Sequence, residues 1–141
     1  MPHTMADRAD RALPFVMLAY AAASLVHFAH NATHLQEYPH MPPWLTPVRV
    51  YAAWAALSAL GACGYWLARR GSPAAGLVLI GVYAVCGFGG LEHYALAPLG
   101  AHSAAMNASI VAEALAAAVL LWYVGRYSPV LMRVQARVRS R

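Results

Sequence analysis

The sequence predicts an all-α protein, an integral membrane four-helix bundle with antiparallel neighbours and both termini in the cytoplasm. Of its 141 residues, 61% are hydrophobic and only 11% charged, whereas a soluble domain carries roughly a quarter charged residues. Four apolar stretches are each long enough to cross a hydrocarbon layer of about 30 Å. The arginines gather on one side of those stretches, which sets the orientation.

The first expected span covers residues 14–35, beginning at Pro14 behind Arg8 and Arg11. A charged start and an apolar run also describe a cleaved signal peptide. Here the apolar run continues into His27, His30 and His34 with no clear small-x-small cleavage site, so it is read as a span. Asn31-Ala32-Thr33 fits a glycosylation sequon but would lie inside that span, which rules it out as an acceptor. The second span, 48–67, ends at the Arg69-Arg70 turn, and the third, 74–96, follows it. The fourth, 103–124, is succeeded by Arg126, Arg133, Arg137, Arg139 and Arg141. Only Arg49 lies near the other side, so the segments around 37–47 and 97–102 are expected to face outward. The net charge of +5 is therefore a topology signal, and no soluble face remains for a nucleic-acid partner. Residues 1–125 form the bundle, and 126–141 a basic cytoplasmic tail in which Arg133, Arg137 and Arg141 recur every fourth residue beside Val130, Val134 and Val138. That pattern suits anionic headgroups. An alanine-rich, lysine-free chain of this kind points to a bacterial inner membrane, with the lipid bilayer as its first partner. Its small size makes a homo-oligomer or a larger membrane complex the expected setting.

Six of the seven histidines and the three internal carboxylates fall in the outer half of this topology. Ionisable groups inside a membrane are costly and mark binding or transfer sites. In the run His27-Phe28-Ala29-His30-Asn31-Ala32-Thr33-His34-Leu35-Gln36-Glu37, about 100° per residue brings His30, His34 and Glu37 close together on one helix face, flanked by His27 and Asn31. Such spacing lets two imidazoles address one ion. Counting about 1.5 Å per residue predicts an outer layer of His30, His34, Glu92 and His93, with His102 and Glu37 at the rim. Below it, an inner layer would hold His27, Glu113 and Asn107. The glycines of Gly87-Phe88-Gly89-Gly90 thin the third span just below Glu92 and His93, allowing close approach by another backbone or a flat ligand.

The expected function is an outward-facing His/Glu metal site used for redox chemistry or metal handling. Its ligands are drawn from His27, His30, His34, Glu37, Glu92, His93, His102 and Glu113. Copper is slightly favoured over zinc or iron, because His40, Met41, His102 and Met106 add nitrogen and soft sulfur donors near the outer loops. A b-haem carried between His30 and His93 is one alternative. Another is an accessory subunit of a larger complex whose polar network is structural or relays protons. A metal-free acid/base pair of Glu113 and His27 acting on a lipid-like substrate is a further one. Cys63 and Cys86 lie on different helices, away from the oxidising side, and read as packing residues. The chain is similar to membrane di-iron hydroxylases and desaturases only in clustering histidines at a membrane edge; it lacks their adjacent histidine pairs. It also lacks the paired Glu-x-x-His motifs of ferritin-like di-iron bundles, and any His-Glu-x-x-His, Cys-x-x-Cys or Cys-x-x-Cys-His pattern.

Overall fold

The computed structural model describes the backbone of residues 5–139 and the side chains of 11–129. The side chains of Arg8, Arg133, Arg137, Arg139 and Arg141, and of the valines between those tail arginines, lie outside the described residues. The described chain is entirely helical: α1 Met5–Thr33, α2 Pro47–Arg69, α3 Pro73–Cys86, a short α4 His93–Leu96, and α5 Ala104–Arg139. Single 3-10 turns at Gly89–Glu92 and Leu99–Ala101 flank α4. Four segments are long and apolar enough to cross a membrane: Arg11–Thr33, Pro47–Arg69, Pro73–Leu96 and Ala104–Pro129.

The surface of these helices is apolar in residue terms. Phe15, Leu18, Val26, Val48, Val78, Leu115 and Trp122 are all more than half exposed. A water-soluble protein does not present so many large apolar groups along its helices. Arginine and aromatic side chains meet at the ends of the spans. The Arg49 guanidinium lies 5.9 Å from the Trp44 ring and Arg70 lies 5.4 Å from Trp66, the combination that suits the boundary between headgroups and hydrocarbon.

Local sequence explains the helix ends. Thr46 caps α2 by accepting a hydrogen bond from the Arg49 amide, and Pro47 occupies the first turn, where a missing N–H costs nothing. At the other end, Gly71 takes φ 94°, a left-handed conformation that reverses the chain, and the Ser72 amide donates back to the Leu67 carbonyl. Pro73 then starts α3. The hairpin this creates is zipped by glycines: Gly61 lies against the Tyr83 ring, Gly64 against Ile80 and the Gly76 carbonyl, and Gly76 against the backbone of Ala68. The paired numbers run in opposite directions, so the two helices are antiparallel. On the other side, α1 packs along α5, and the Tyr20 hydroxyl donates to the Tyr83 carbonyl at 3.1 Å.

One expected element is different. The third span is not a continuous helix over 74–96. Regular α structure stops at Cys86, and the chain passes through Gly87 and Phe88 into the 3-10 turn before α4 begins at His93. Glycine is the physical reason, since Gly87, Gly89 and Gly90 supply no side chain to support a helix and pay the largest entropic cost to remain in one. A broken helix at membrane depth is tolerated where its backbone is buried in protein or lines a cavity. Here the break passes directly over the polar centre.

Candidate functional site

Three segments converge at that centre. On α1, the three- and four-residue spacing places Ser24, His27, His30 and Asn31 along one side. On α5, Ser109 and Glu113 are one turn apart. The broken third span contributes Gly90 and His93, and the turn before α5 contributes His102. His27, His93, His102 and Glu113 are all buried, with Glu113 only 2% exposed. Gly90 forms the lid over the deepest pair: a Cβ there would stand 3.3 Å from His27 Nε2 and 3.4 Å from Glu113 Oε2.

The hydrogen bonds fix the proton positions. His27 Nδ1 lies 3.2 Å from Ser109 Oγ, and that hydroxyl donates its one proton to the Met106 carbonyl at 2.9 Å. Ser109 must therefore accept from His27, so Nδ1 carries the hydrogen and Nε2 of the neutral ring bears the lone pair. This bare nitrogen faces Glu113 Oε2 at 3.7 Å, with the Ser24 hydroxyl near the same carboxyl group. The separation is too long for a direct hydrogen bond. A small side-chain movement or one water closes it.

Tyr38 extends this centre to the surface. It belongs to the proline-rich outer loop, yet its ring is folded in to 3% exposure and packs on Met106 and Ile110. The Tyr38 hydroxyl lies 3.0 Å from His30 Nδ1, with the Ser109 hydroxyl in its neighbourhood. Burial pushes the Tyr38 phenol above its ordinary range, and the Ser109 hydroxyl pulls it part of the way back. It therefore stays a neutral O–H group. The His30 ring stacks on His34 at 4.5 Å, and His34 Nδ1 pairs with Glu37 Oε1 at 3.0 Å on the exposed rim. An open cavity of about 790 Å³ adjoins this end, lined among others by His34, Glu37, Tyr38, His40 and Met41. From Glu37 to Glu113 the proton-bearing side chains thus follow one another in a file, in the order Glu37, His34, His30, Tyr38, Ser109, His27, Glu113, with hydrogen bonds at Glu37–His34, His30–Tyr38 and Ser109–His27.

The two-layer arrangement read from the sequence is rearranged. His93 meets His27, at 5.6 Å between ring centroids, and His102, at 6.2 Å, rather than lying with His34. Glu92 is exposed and stands apart from the buried centre, because neighbouring residues of a tight helical turn point in different directions. Asn107 accepts from the Tyr94 hydroxyl and donates to the Leu99 and His102 carbonyls, so it pins the outer turn rather than joining the inner pair. The Tyr38 ring lies against both His30 and His93, at 5.9 and 4.8 Å, and a haem bridging those imidazoles would have to displace it. Among the described residues no three His, Cys, Asp or Glu groups are placed to hold one metal ion.

Sequence reasoning missed Tyr38, Ser24 and Ser109. A tyrosine eight residues after His30 in a stiff loop carried no periodic signal, and the serines looked like ordinary helix-packing residues. Ser109 was findable in retrospect, because it precedes Glu113 by one helical turn and so shares its face. Compared with known families, curated proteins and solved structures, the chain matches none.

Proposed function

We propose that the chain is a multi-pass protein of a bacterial inner membrane, with both termini cytoplasmic, whose outer half exchanges protons between the outer surface and the buried His27–Glu113 pair. It acts as the proton-handling subunit of a homo-oligomer or larger membrane complex. The observation that carries this reading is the succession of proton-bearing groups from the Glu37–His34 rim to Glu113, hydrogen-bonded at three of its links and ending on the 3.7 Å approach of His27 to Glu113. Intramembrane chains of His, Asp and Glu serve this purpose in pumps and transporters. Ser109 is the gating member. Its hydroxyl donates to the Met106 carbonyl, so passage between Tyr38 and His27 requires that hydroxyl to rotate.

The relay is tested by infrared spectroscopy of protein reconstituted in lipid, following the carboxylic acid band of Glu113 after a jump in pH. Tyr38→Phe keeps the ring packed on His93 and removes only the hydroxyl. The band is expected to respond at least tenfold more slowly in this variant, with its amplitude retained. An unchanged rate would remove Tyr38 from the path and the file with it. The orientation has its own check: a fluorescent reporter fused after Arg141 is expected to be active, and an alkaline phosphatase fused there inactive. The reverse pattern would turn the file toward the cytoplasm.

A transition-metal role for the same half, copper before zinc or iron, is favoured by a separate observation. Two buried imidazoles outside the file, His93 and His102, each keep a ring nitrogen without a partner.

A further inference from the structure

We infer that His93 and His102 form a two-imidazole site for a soft monovalent ion, Cu(I), held between His93 Nδ1 and His102 Nε2. Both nitrogens are buried and lack hydrogen-bond partners. Both rings are more than nine-tenths buried, so bulk water does not satisfy them, and unsatisfied buried polar atoms are rare because each costs the full desolvation penalty.

The tautomers follow from the neighbours. His102 Nδ1 lies 3.1 Å from the Pro98 carbonyl, which only accepts, so Nδ1 carries the hydrogen and Nε2 bears a lone pair. His93 Nε2 lies 3.4 Å from Asn31 Nδ2, while Asn31 Oδ1 has no partner. Exchanging the two ends of the Asn31 amide, which differ little in shape, lets His93 Nε2–H donate to Oδ1 and leaves the NH2 in the partnerless position. Nδ1 of His93 then bears a lone pair as well. This leaves two bare, buried nitrogens on neighbouring rings. A ligating histidine characteristically has its other nitrogen oriented by a hydrogen bond, and here the Pro98 carbonyl and Asn31 supply those partners.

The number of donors selects the ion, because among the described residues no third His, Cys, Asp or Glu is placed to share one with these two nitrogens. With metal–nitrogen bonds of about 2 Å, each ring centroid lies about 3.2 Å from the ion, so two imidazoles in line stand about 6.4 Å apart. The observed centroid separation is 6.2 Å with the rings inclined at 72°, within the reach of one shared ion. Two-coordinate, near-linear binding is characteristic of Cu(I) and not of zinc or iron, which take four or more ligands. The surroundings agree, since Tyr38, Tyr94 and Met106 enclose the pair in a largely apolar wall that disfavours a hydrated divalent ion.

The test uses full-length protein in lipid nanodiscs under anaerobic conditions, titrated with Cu(I) against a chromophoric Cu(I) chelator. One Cu(I) per chain is expected, with X-ray absorption showing two imidazole nitrogens and no sulfur. His93→Gln and His102→Gln are each expected to weaken binding at least a hundredfold, while His34→Gln and Tyr38→Phe leave it unchanged. Three outcomes overturn the site: no stoichiometric Cu(I), a sulfur-containing or higher coordination shell, or loss of binding in His34→Gln instead, which would move the ion to the outer cavity. Because the absorption spectrum is read on the unaltered protein, a variant that fails to fold does not obscure the result. The site shares no residue with the proton file, so either can fail while the other stands.

Discussion

Replacing Gly76 with leucine is expected to separate α2 from α3 and to destabilise the protein by about 3 kcal/mol or more, above the usual cost of overpacking. The reason is what surrounds the position. A Cβ at Gly76 would collide with the backbone of Ala68 and the carbonyl of Gly64. A flexible side chain can move aside, but helix backbone cannot without moving the helix. In a membrane, lipid is as apolar as the helix surface, so close backbone approach and dispersion contacts carry most of the association. Gly81 on the same helix supplies the control, because nothing lies within 4 Å of a Cβ built there. Gly81→Leu is expected to be neutral or to stabilise slightly, since glycine costs a helix about 1 kcal/mol relative to good helix formers. Thermal unfolding in detergent distinguishes the two variants. Equal effects would mean that α2 and α3 are held by something other than this glycine seam.

Rearranging this hairpin would also disturb the polar centre, for the break in the third span begins one residue past the end of α3. That continuity explains which features were legible in the sequence. Span number and approximate limits depend on length and hydropathy, quantities that a linear chain displays directly. The glycine run was legible as a place of close approach, and Gly90 does lie against His27 and Glu113. Depth counted along ideal helices was less informative. It presumes an unbroken third span, and the interruption after Cys86 changes both the height and the facing of Glu92 and His93. Counting residues along helices also has nothing to say of loops. Tyr38 enters the centre because the chain leaves α1 through turns and returns through the prolines before α2. His40 adopts φ 58° on the way, an uncommon left-handed conformation for a residue with a side chain. Ser109 shares the Glu113 face and was open to the same periodic reading, whereas its bond to His27 exists only in the folded chain.

Glu113 separates a proton-handling centre from a merely structural one. Its carboxyl group is buried to 2% exposure, close to the Ser24 hydroxyl and facing the bare Nε2 of His27. Glu113→Gln keeps the volume, the Ser24 neighbour and an N–H able to donate toward His27, but it cannot gain or lose a proton. Its stability is expected to stay within about 1 kcal/mol of the parent, the scale of one exchanged hydrogen bond. The carboxylic acid infrared band is expected to vanish, and proton-dependent activity of the native complex to fall at least a hundredfold. Glu113→Leu removes the hydrogen-bonding capacity as well. Ser24 and His27 are then left facing hydrocarbon, at a cost of about 1–3 kcal/mol for each unsatisfied group, and thermal unfolding should shift well below that of the glutamine variant. The two substitutions thus divide charge from packing. A glutamine variant that folds and retains full activity would make the pair a hydrogen-bonded bolt between α1 and α5. A glutamine variant that folds but is inactive requires the proton itself, since shape, volume and hydrogen bonding have been preserved and only titration has been lost.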